Sequence, residues 1–567
     1  MTTHIHNPNT SQNPAYYPST PINLSPSDIG LPAKFSEWRP GQFNAIMETV
    51  AAFSAGIRVV AGNLPTGSGK SVLAIATAIL NGGRVVVLTS TKGLQDQYMR
   101  DFAECGLVDM RGRQNYDCPQ HSNCADGRLC GCTHMAPTKA EDYGNDSSSA
   151  ASDCPHSLAR DRFLSARISV TNYACYFANI MHGEGVGEID LLVLDEAHNA
   201  IEELSNALTI VLDYNLIESV RKKVNIPPTP DGGSSIGLWR DWAKKSAPTV
   251  KTLFAQVKRD GGGSTWLKMI DNLASTLARI AELPDNWIID NSKEGQVSFA
   301  PLWPTDFAEE KLFRGIKRIL LISATIVPKT LDLLGIPKTD SIFVSAVHSF
   351  DPRRSPVYLF GACRIDFRTT IPQWAETIGR MDAIINRRLD RKGIIHPVSY
   401  DRAEYILSNS QHQGLMIFPK GRMLHDSLEL FRNSPPPRIL ITPAITTGYD
   451  FPGSQAEYQF IIKVPFIDAR SPILQARSKA DDEYLPYLTA QILTQTCGRA
   501  MRDPRDQCEN FILDRHANWF LKSQDTSGSS RRGGYRHLFP EWFLRQIQYV
   551  SSPPFPPTAL STQGVQL

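Results

Sequence analysis

Residues 64–71, Leu64-Pro65-Thr66-Gly67-Ser68-Gly69-Lys70-Ser71, lie between a short β-rich run at 58–62 and a helical stretch at 72–80. That context suits phosphate binding. Glycines at 67 and 69 let the backbone curl until its N–H groups face a β-phosphate, and the following helix adds its positive N-terminal end. Lys70 then reaches the β- and γ-phosphates and the Ser71 hydroxyl holds Mg2+. Pro65, Thr66, Gly67, Ser68, Gly69, Lys70 and Ser71 are therefore the candidate contacts to ATP. Leu64 stands where the GxxxxGK[ST] pattern has its first glycine. Further on, the apolar run Leu191-Leu192-Val193-Leu194 ends in Asp195-Glu196, which places two carboxylates at the carboxyl edge of a sheet, where ligands bind. Asp195 is the candidate Mg2+ ligand, and Glu196 the group that orients and deprotonates an attacking water. The ten cysteines are unevenly spread, six of them (Cys105, Cys118, Cys124, Cys130, Cys132 and Cys154) falling in one short stretch. In a reducing compartment such a cluster points to a metal before disulfides.

These groups need a frame, and the chain's length supplies one. At roughly 100–200 residues per domain, 567 residues predict about three to five folded units, which excludes a single-module binder. Short β-rich runs at 58–62, 85–88, 168–170, 191–194 and 319–322 alternate with helical stretches, the pattern of a parallel sheet wrapped by helices. A second series at 393–395, 415–418, 439–441, 460–462 and 511–513 implies a second α/β domain. Two segments interrupt the first series. Between Cys118 and Cys154 the only large apolar residues are Leu129, Met135 and Tyr143, too few for a separate core. From Asn199 to about Pro301 the pattern turns helical: Val250, Leu253, Phe254 and Val257 share one face, and Trp266, Ile270, Leu273, Leu277 and Ile280 another. The net charge of +2 leaves any affinity for a polyanion to local basic groups. No run approaches the ~18–20 apolar residues that span a bilayer, and residues 1–8 show no secretory or transit pattern. The expectation is a protein that is not secreted, placed in the cytoplasm, at a nucleoid or at a viral replication site, without membrane partners.

With the phosphate loop and Asp195-Glu196-Ala197-His198 in hand, the sequence resembles the superfamily 2 helicases of DEAH type. Arg39-Pro40-Gly41-Gln42 resembles the adenine-reading Q motif, which makes Gln42 a nucleotide contact. Residues 91–97, Thr91-Lys92-Gly93-Leu94-Gln95-Asp96-Gln97, are similar to motif Ia, and Ser323-Ala324-Thr325 to motif III. Thr447-Gly448-Tyr449-Asp450-Phe451 resembles motif V, which implies a nucleotide contact for Asp450. Gln495-Thr496-Cys497-Gly498-Arg499-Ala500-Met501-Arg502 matches the motif VI pattern QxxGRxxR. Guanidinium groups neutralise transition-state charge on the γ-phosphate, so the resemblance makes Arg499 and Arg502 arginine fingers and Gln495 part of the catalytic set.

The cysteines narrow the resemblance to the XPD and DinG group, whose four cysteines between motifs I and II hold a [4Fe-4S] cluster. Cys118 closes the segment 112–118, and Cys154 opens Cys154-Pro155-His156-Ser157-Leu158-Ala159-Arg160, similar to the group's CPxxxAR. The inner pair comes from Cys124, Cys130 and Cys132. Cys124 and Cys132 are favoured, because a single residue separates Cys130 from Cys132, and Cys130 is the alternative inner ligand. Zinc would order such a loop equally well, and spacing does not separate the metals. Cys105, Cys175, Cys363, Cys497 and Cys508 are read as ordinary thiols. Thr171-Asn172-Tyr173, the segment 392–400 and Phe418-Pro419-Lys420 match further stretches of the group.

The resemblance implies an α/β fold of two tandem RecA-like parallel-sheet domains, the first carrying a small iron–sulfur insertion and a helical arch. The expected division is a flexible arm at 1–33, first-domain segments at 34–104, 166–200 and 301–340, the metal insertion at 105–165 and the arch at 201–300. The second domain follows at 341–549, and a flexible tail at 550–567. The implied function is an ATP-dependent helicase, a monomeric motor on single-stranded and forked DNA, moving 5′ to 3′. The alternatives are an RNA or RNA–DNA hybrid helicase, or a nucleic-acid-binding assembly subunit with a decayed motor.

Overall fold

The computed structural model describes residues 24–119, 121–126, 154–183, 185–345, 351–419, 424–443, 451, 453–501, 506–523 and 534–556. Two seven-stranded sheets, parallel throughout, carry the chain. Across the first the order is Ser341–Ser345, Val59–Asn63, Ile319–Ser323, Leu191–Asp195, Val85–Thr89, Ile168–Asn172, Leu107–Asp109. Its inner strands are buried along their length, as a sheet covered by helices on both faces requires. Across the second the order is Met416–Ile417, Arg438–Ile441, Lys392–His396, Tyr458–Ile461, Glu509–Asp514, Val357–Cys363, Ile547–Tyr549. Two α/β sheets in tandem are what the alternating runs and the family resemblance led us to expect.

Several expected boundaries move. Ser341–Ser345 pairs with Val59–Asn63 and belongs to the first sheet, so the second domain does not begin at 341. Leu107–Asp109 pairs with Ile168–Asn172, so the start of the expected metal insertion is an edge strand of the first domain. The helix Ala200–Leu208 buries Ala200, Ile201, Leu204 and Leu208 in the first domain's core and is no part of the arch. The arch is also not all helical. Ile210–Asp213, Gln296–Pro301 and Trp287–Asp290 form an antiparallel three-stranded sheet beneath the helices Ile236–Arg259 and Ser264–Ala281. Trp239, Phe299, Ile270, Leu273 and Leu277 fill the space between, with the Trp239 and Phe299 rings packed edge to face at 5.3 Å.

Both termini are more ordered than their composition suggests. Ile29 and Leu31 are buried in the first domain's core, and Trp38 Nε1–H donates to Leu24 C=O at 2.6 Å, so the expected flexible arm is packed from residue 24. In the expected tail, the Arg388 guanidinium donates to Pro554 C=O at 3.2 Å and Arg387 lies 4.3 Å from the Phe555 ring centroid. No helix among the described residues is long and apolar enough to cross a membrane.

Candidate active site

Strand Val59–Asn63 runs into the phosphate loop and helix Lys70–Asn81 leaves it. Leu64 is buried, and its N–H donates to Ser323 C=O at 3.1 Å. The ladder thus continues one residue past the strand and the turn starts at Pro65, whose carbonyl accepts from Ser68 N–H at 3.1 Å. Gly67 and Gly69 both take left-handed backbone, φ 83° and 82°. A side chain at 69 is excluded twice over, because its Cβ would also strike the Gln42 amide. Gln42 is buried and donates from Nε2 to the Ser68 and Gly69 carbonyls at 3.3 and 2.9 Å, while its Oε1 accepts from Arg39 N–H at 3.1 Å. Arg39 caps the loop from the same side by donating to Gly67 C=O. Gln42 is therefore brought to the phosphate loop as expected, where it shapes the loop's backbone. Ser68 Oγ is buried without a hydrogen-bond partner among the described residues. That orphaned hydroxyl inside a left-handed glycine loop fits a phosphate.

Asp195 ends the strand Leu191–Asp195 and is completely enclosed. Burial and the neighbouring Glu196 push its carboxyl up to about 6, against the pull of Lys70, the Tyr98 hydroxyl and the Glu196 N–H. The Tyr98 O–H donates to Oδ2 at 2.8 Å and Glu196 N–H to Oδ1 at 2.8 Å, which fixes the plane of the carboxylate. Glu196 itself takes left-handed backbone, φ 49° and ψ 48°, a conformation costly for a residue with a Cβ and concentrated at functional sites. The turn aims its carboxylate between Lys70 Nζ, 3.9 Å away, and His198 Nδ1, 3.5 Å away.

His198 is the junction of the site. Its burial holds the ring below the ordinary histidine range and hence neutral. The Gln495 amide donates to Nε2, which leaves the proton on Nδ1 to donate to Ser323 Oγ at 2.7 Å. Ser323 Oγ in turn accepts from Thr325 N–H at 3.1 Å, and Gln491 Nε2–H donates to Thr325 C=O at 2.9 Å. Gln491 and Gln495 stand four apart on helix Tyr484–Cys497, on one face. His198, the Ser323-Ala324-Thr325 turn and the second domain's helix are therefore one hydrogen-bonded unit, with the Glu196 carboxylate 3.5 Å from the His198 ring. The helix ends at Gly498, where a Cβ would lie 2.9 Å from Thr66 Oγ1 of the phosphate loop, and the buried Arg499 follows. Gln459 holds the helix end by donating to the Thr496 and Cys497 carbonyls at 2.9 and 3.2 Å.

The candidates Lys70, Asp195, Glu196 and Gln495 thus converge where the two domains meet, Ser71 follows Lys70 on its helix, and Arg499 follows Gly498 at the helix end. Arg502 and Asp450 lie outside the described residues, with Thr447, Gly448, Tyr449 and Lys420. Sequence reasoning passed over Tyr98, Gln491, Gly498 and the bridging role of His198. The four-residue spacing of Gln491 and Gln495 was a usable signal, whereas Tyr98 reads as any core tyrosine of an amphipathic helix.

Cys118, Cys124 and Cys154 are buried together against Tyr116, with the Cys124 and Cys154 sulfurs 3.9 Å apart. Cys130 and Cys132 lie outside the described residues. Among the described residues no group of three or more His, Cys, Asp or Glu side chains is arranged to hold a metal ion. The three thiols buried together are the donor type that a thiolate-bound metal would take. An ion pair of Asp126 with Lys268 on the arch helix Ser264–Ala281 ties this segment to the arch.

Residues 35–225 match the family described as type III restriction enzyme, res subunit, and residues 392–524 match the helicase C-terminal domain. The ATP-dependent DNA helicase YoaA of Haemophilus influenzae is 22% identical, covering 82% of this chain and 90% of its own length. A solved XPD helicase superposes with a TM-score of 0.58 at 14% identity, over 84% of this chain and 96% of its own. The chain is thus similar to ATP-dependent DNA helicases, and it shares its fold with XPD helicases. The S. tokodaii Xpd4 structure shares the fold of this helicase with a TM-score of 0.58 at 15% identity, covering 90% of this chain and all of its own.

Proposed function

We propose that this helicase is an ATP-dependent motor that moves 5′ to 3′ along single-stranded DNA and unwinds the duplex ahead of it. The observation that carries the reading is the bridge Glu196–His198–Gln495, with Gly498 set against Thr66: the hydrolytic carboxylate responds to the position of the second domain. The loop Pro65–Ser71 cradles the phosphates and Lys70 meets the β- and γ-oxygens. Ser71 and Asp195 would hold Mg2+, which supplies charge neutralisation at the phosphates when bound. Glu196 takes a proton from the attacking water, and its backbone turn and His198 keep the carboxylate aimed. Arg499, and Arg502 three residues on in the sequence, stabilise charge on the transferring phosphate. Loss of the γ-phosphate removes what the second domain closes upon, and cleft opening and closing advance the strand. The direction of movement comes from the family resemblance.

Cys118, Cys124 and Cys154, with Cys132 or Cys130, would hold a [4Fe-4S] cluster whose part is to order a segment too polar to order itself. Iron and sulfide content of the purified protein, with loss on Cys154→Ser, tests this, and zinc in place of iron contradicts it. The function is tested with duplexes bearing a 5′ or a 3′ single-stranded tail, and with single-stranded DNA against RNA as ATPase stimulants. Unwinding from the 5′ tail and stimulation by DNA are expected. Activity confined to the 3′ tail refutes the direction, stronger stimulation by RNA refutes the substrate, and absence of turnover indicates a decayed motor.

A further inference from the structure

No motif of the sequence claims Trp542, yet its side chain reaches the centre of the site. The segment that carries it is fixed to the second domain on both sides. Ahead of Trp542, and again just after it, Tyr535, Phe539 and Phe543 pack with Phe520: the Phe520 ring lies 5.6 Å from Tyr535 and 5.4 Å from Phe539, and Phe539 stacks on Phe543 at 5.4 Å. Further on, Ile547–Tyr549 pairs with Val357–Cys363 in the second sheet. Trp542 therefore moves with the second domain. It is buried, and its indole Nε1–H donates to Ala324 C=O in the first domain at 2.7 Å, across 218 residues of sequence. Bulk alone would be served by another phenylalanine, whereas the indole adds a donor aimed at one carbonyl.

The turn Ser323-Ala324-Thr325 presents three consecutive carbonyls, and each accepts from a different part of the chain. Leu64 N–H, at the head of the phosphate loop, donates to Ser323 C=O at 3.1 Å, Trp542 to Ala324 C=O, and Gln491 to Thr325 C=O at 2.9 Å. The middle contact bears on the chemistry. Ala324 C=O and Thr325 N–H belong to one planar peptide unit, so holding one end orients the other. Thr325 N–H donates to Ser323 Oγ at 3.1 Å, the atom that accepts from His198 Nδ1 at 2.7 Å, and the His198 ring stands 3.5 Å from the Glu196 carboxylate. We propose that Trp542 is a positioning residue for ATP hydrolysis: through the Ala324–Thr325 peptide it sets Ser323 Oγ and, with it, the ring that aims Glu196. When the second domain withdraws, the indole leaves with it and the buried Ala324 C=O loses its donor. The peptide is then free to turn, and Ser323 and His198 fall out of register. Hydrolysis is thereby confined to the state in which the domains are joined. The proposal rests on the reading of Glu196 as the group that takes a proton from water.

Two variants of the full-length protein separate the donor from the packing. Trp542→Phe keeps a ring in the aromatic cluster and removes the N–H. Replacement of Trp542 by benzothienylalanine, with sulfur in place of the indole N–H, keeps the whole fused ring. A buried carbonyl left without its donor should lower kcat for ATP about 5- to 150-fold in both, with ATP affinity at the wild-type value. The deciding arm is a double-mutant cycle with His198→Ala. Without the ring that connects Ser323 to Glu196, adding Trp542→Phe should lower kcat no further. Wild-type kcat in the benzothienylalanine protein overturns the role of the N–H. A loss that multiplies in full on top of His198→Ala, or ATP binding that falls together with turnover, assigns Trp542 to packing alone and overturns the proposal equally. Glu196→Gln, measured alongside, keeps the two claims apart. Turnover that survives it refutes the hydrolytic reading itself, whereas turnover lost there but intact without the indole donor refutes only the positioning role.

Discussion

Gly498 gives the sharpest prediction, because its cost is purely steric and falls across the domain junction. Its backbone is ordinary, φ −83°, so alanine brings no conformational strain. A Cβ would stand 2.9 Å from Thr66 Oγ1, against 3.4 Å for an ordinary contact, so the phosphate loop and the Gln495–Gly498 turn must separate by about half an ångström. Overpacking on this scale costs about 1–3 kcal/mol, and here the closed state alone bears it. Gly498→Ala should therefore lower kcat for ATP about 5- to 150-fold. ATP affinity should hardly change, since Lys70, Ser71 and the loop glycines all lie on the first domain. Steady-state turnover and nucleotide binding measured side by side resolve this split. Thr66→Ala removes the atom struck, so the double variant should recover activity relative to Gly498→Ala, a coupling that a double-mutant cycle quantifies. Wild-type turnover in Gly498→Ala, or a double variant no better than the product of the singles, refutes the idea that hydrolysis requires this close approach.

Three further outcomes follow from the same geometry. His198→Ala cuts the bridge to Gln495 and Ser323, so nucleic-acid stimulation of ATP turnover should fall about 5- to 150-fold while ATP binding persists; undiminished stimulation argues against the bridge. Arg388→Met removes both short hydrogen bonds to the buried Glu509 carboxylate, leaves it Arg391 at 3.8 Å, and should cost about 3–5 kcal/mol in urea unfolding, most of it recovered by adding Glu509→Leu; a milder loss shows that Arg391 takes over the carboxylate. Burial pulls the His396 ring down to about 4 from an ordinary 6.5. Between those values the unfolded chain takes up a proton that the folded protein refuses, so stability falls as pH drops through that window, by about 3 kcal/mol in all. Unfolding at pH 7 and pH 4.5 should show this dependence in the wild type and not in His396→Gln; an equal drop in both places the acid sensitivity elsewhere.

The central strands were legible because each is a run of apolar residues buried on both faces, as in Leu191-Leu192-Val193-Leu194. The edge strands were not. Leu107–Asp109 and Ile547–Tyr549 have three residues each, and Ser341–Ser345 is polar at both ends, so none carries the period of a core strand. The arch strands hid for a different reason: Ile210–Asp213 alternates buried and exposed over only four residues, too short to register beside two long helices. In the active site, residue types and spacing marked Lys70, Asp195 and Glu196 as candidates, and the family resemblance added Arg499. Their connections are another matter, because Tyr98 to Asp195 and Gln495 to His198 join residues 97 and 297 apart in the chain. Only tertiary packing creates such contacts, and pattern reasoning has no access to them.

Glu196 is proposed to drive ATP hydrolysis at the domain junction under the control of a bound strand. The most direct test is ATP turnover with and without single-stranded DNA for the wild type and Glu196→Gln, with nucleotide binding measured in parallel. Strand-stimulated turnover is expected in the wild type, and full ATP binding with turnover lost in Glu196→Gln, whether or not DNA is present. Strand-stimulated turnover that survives Glu196→Gln would contradict it.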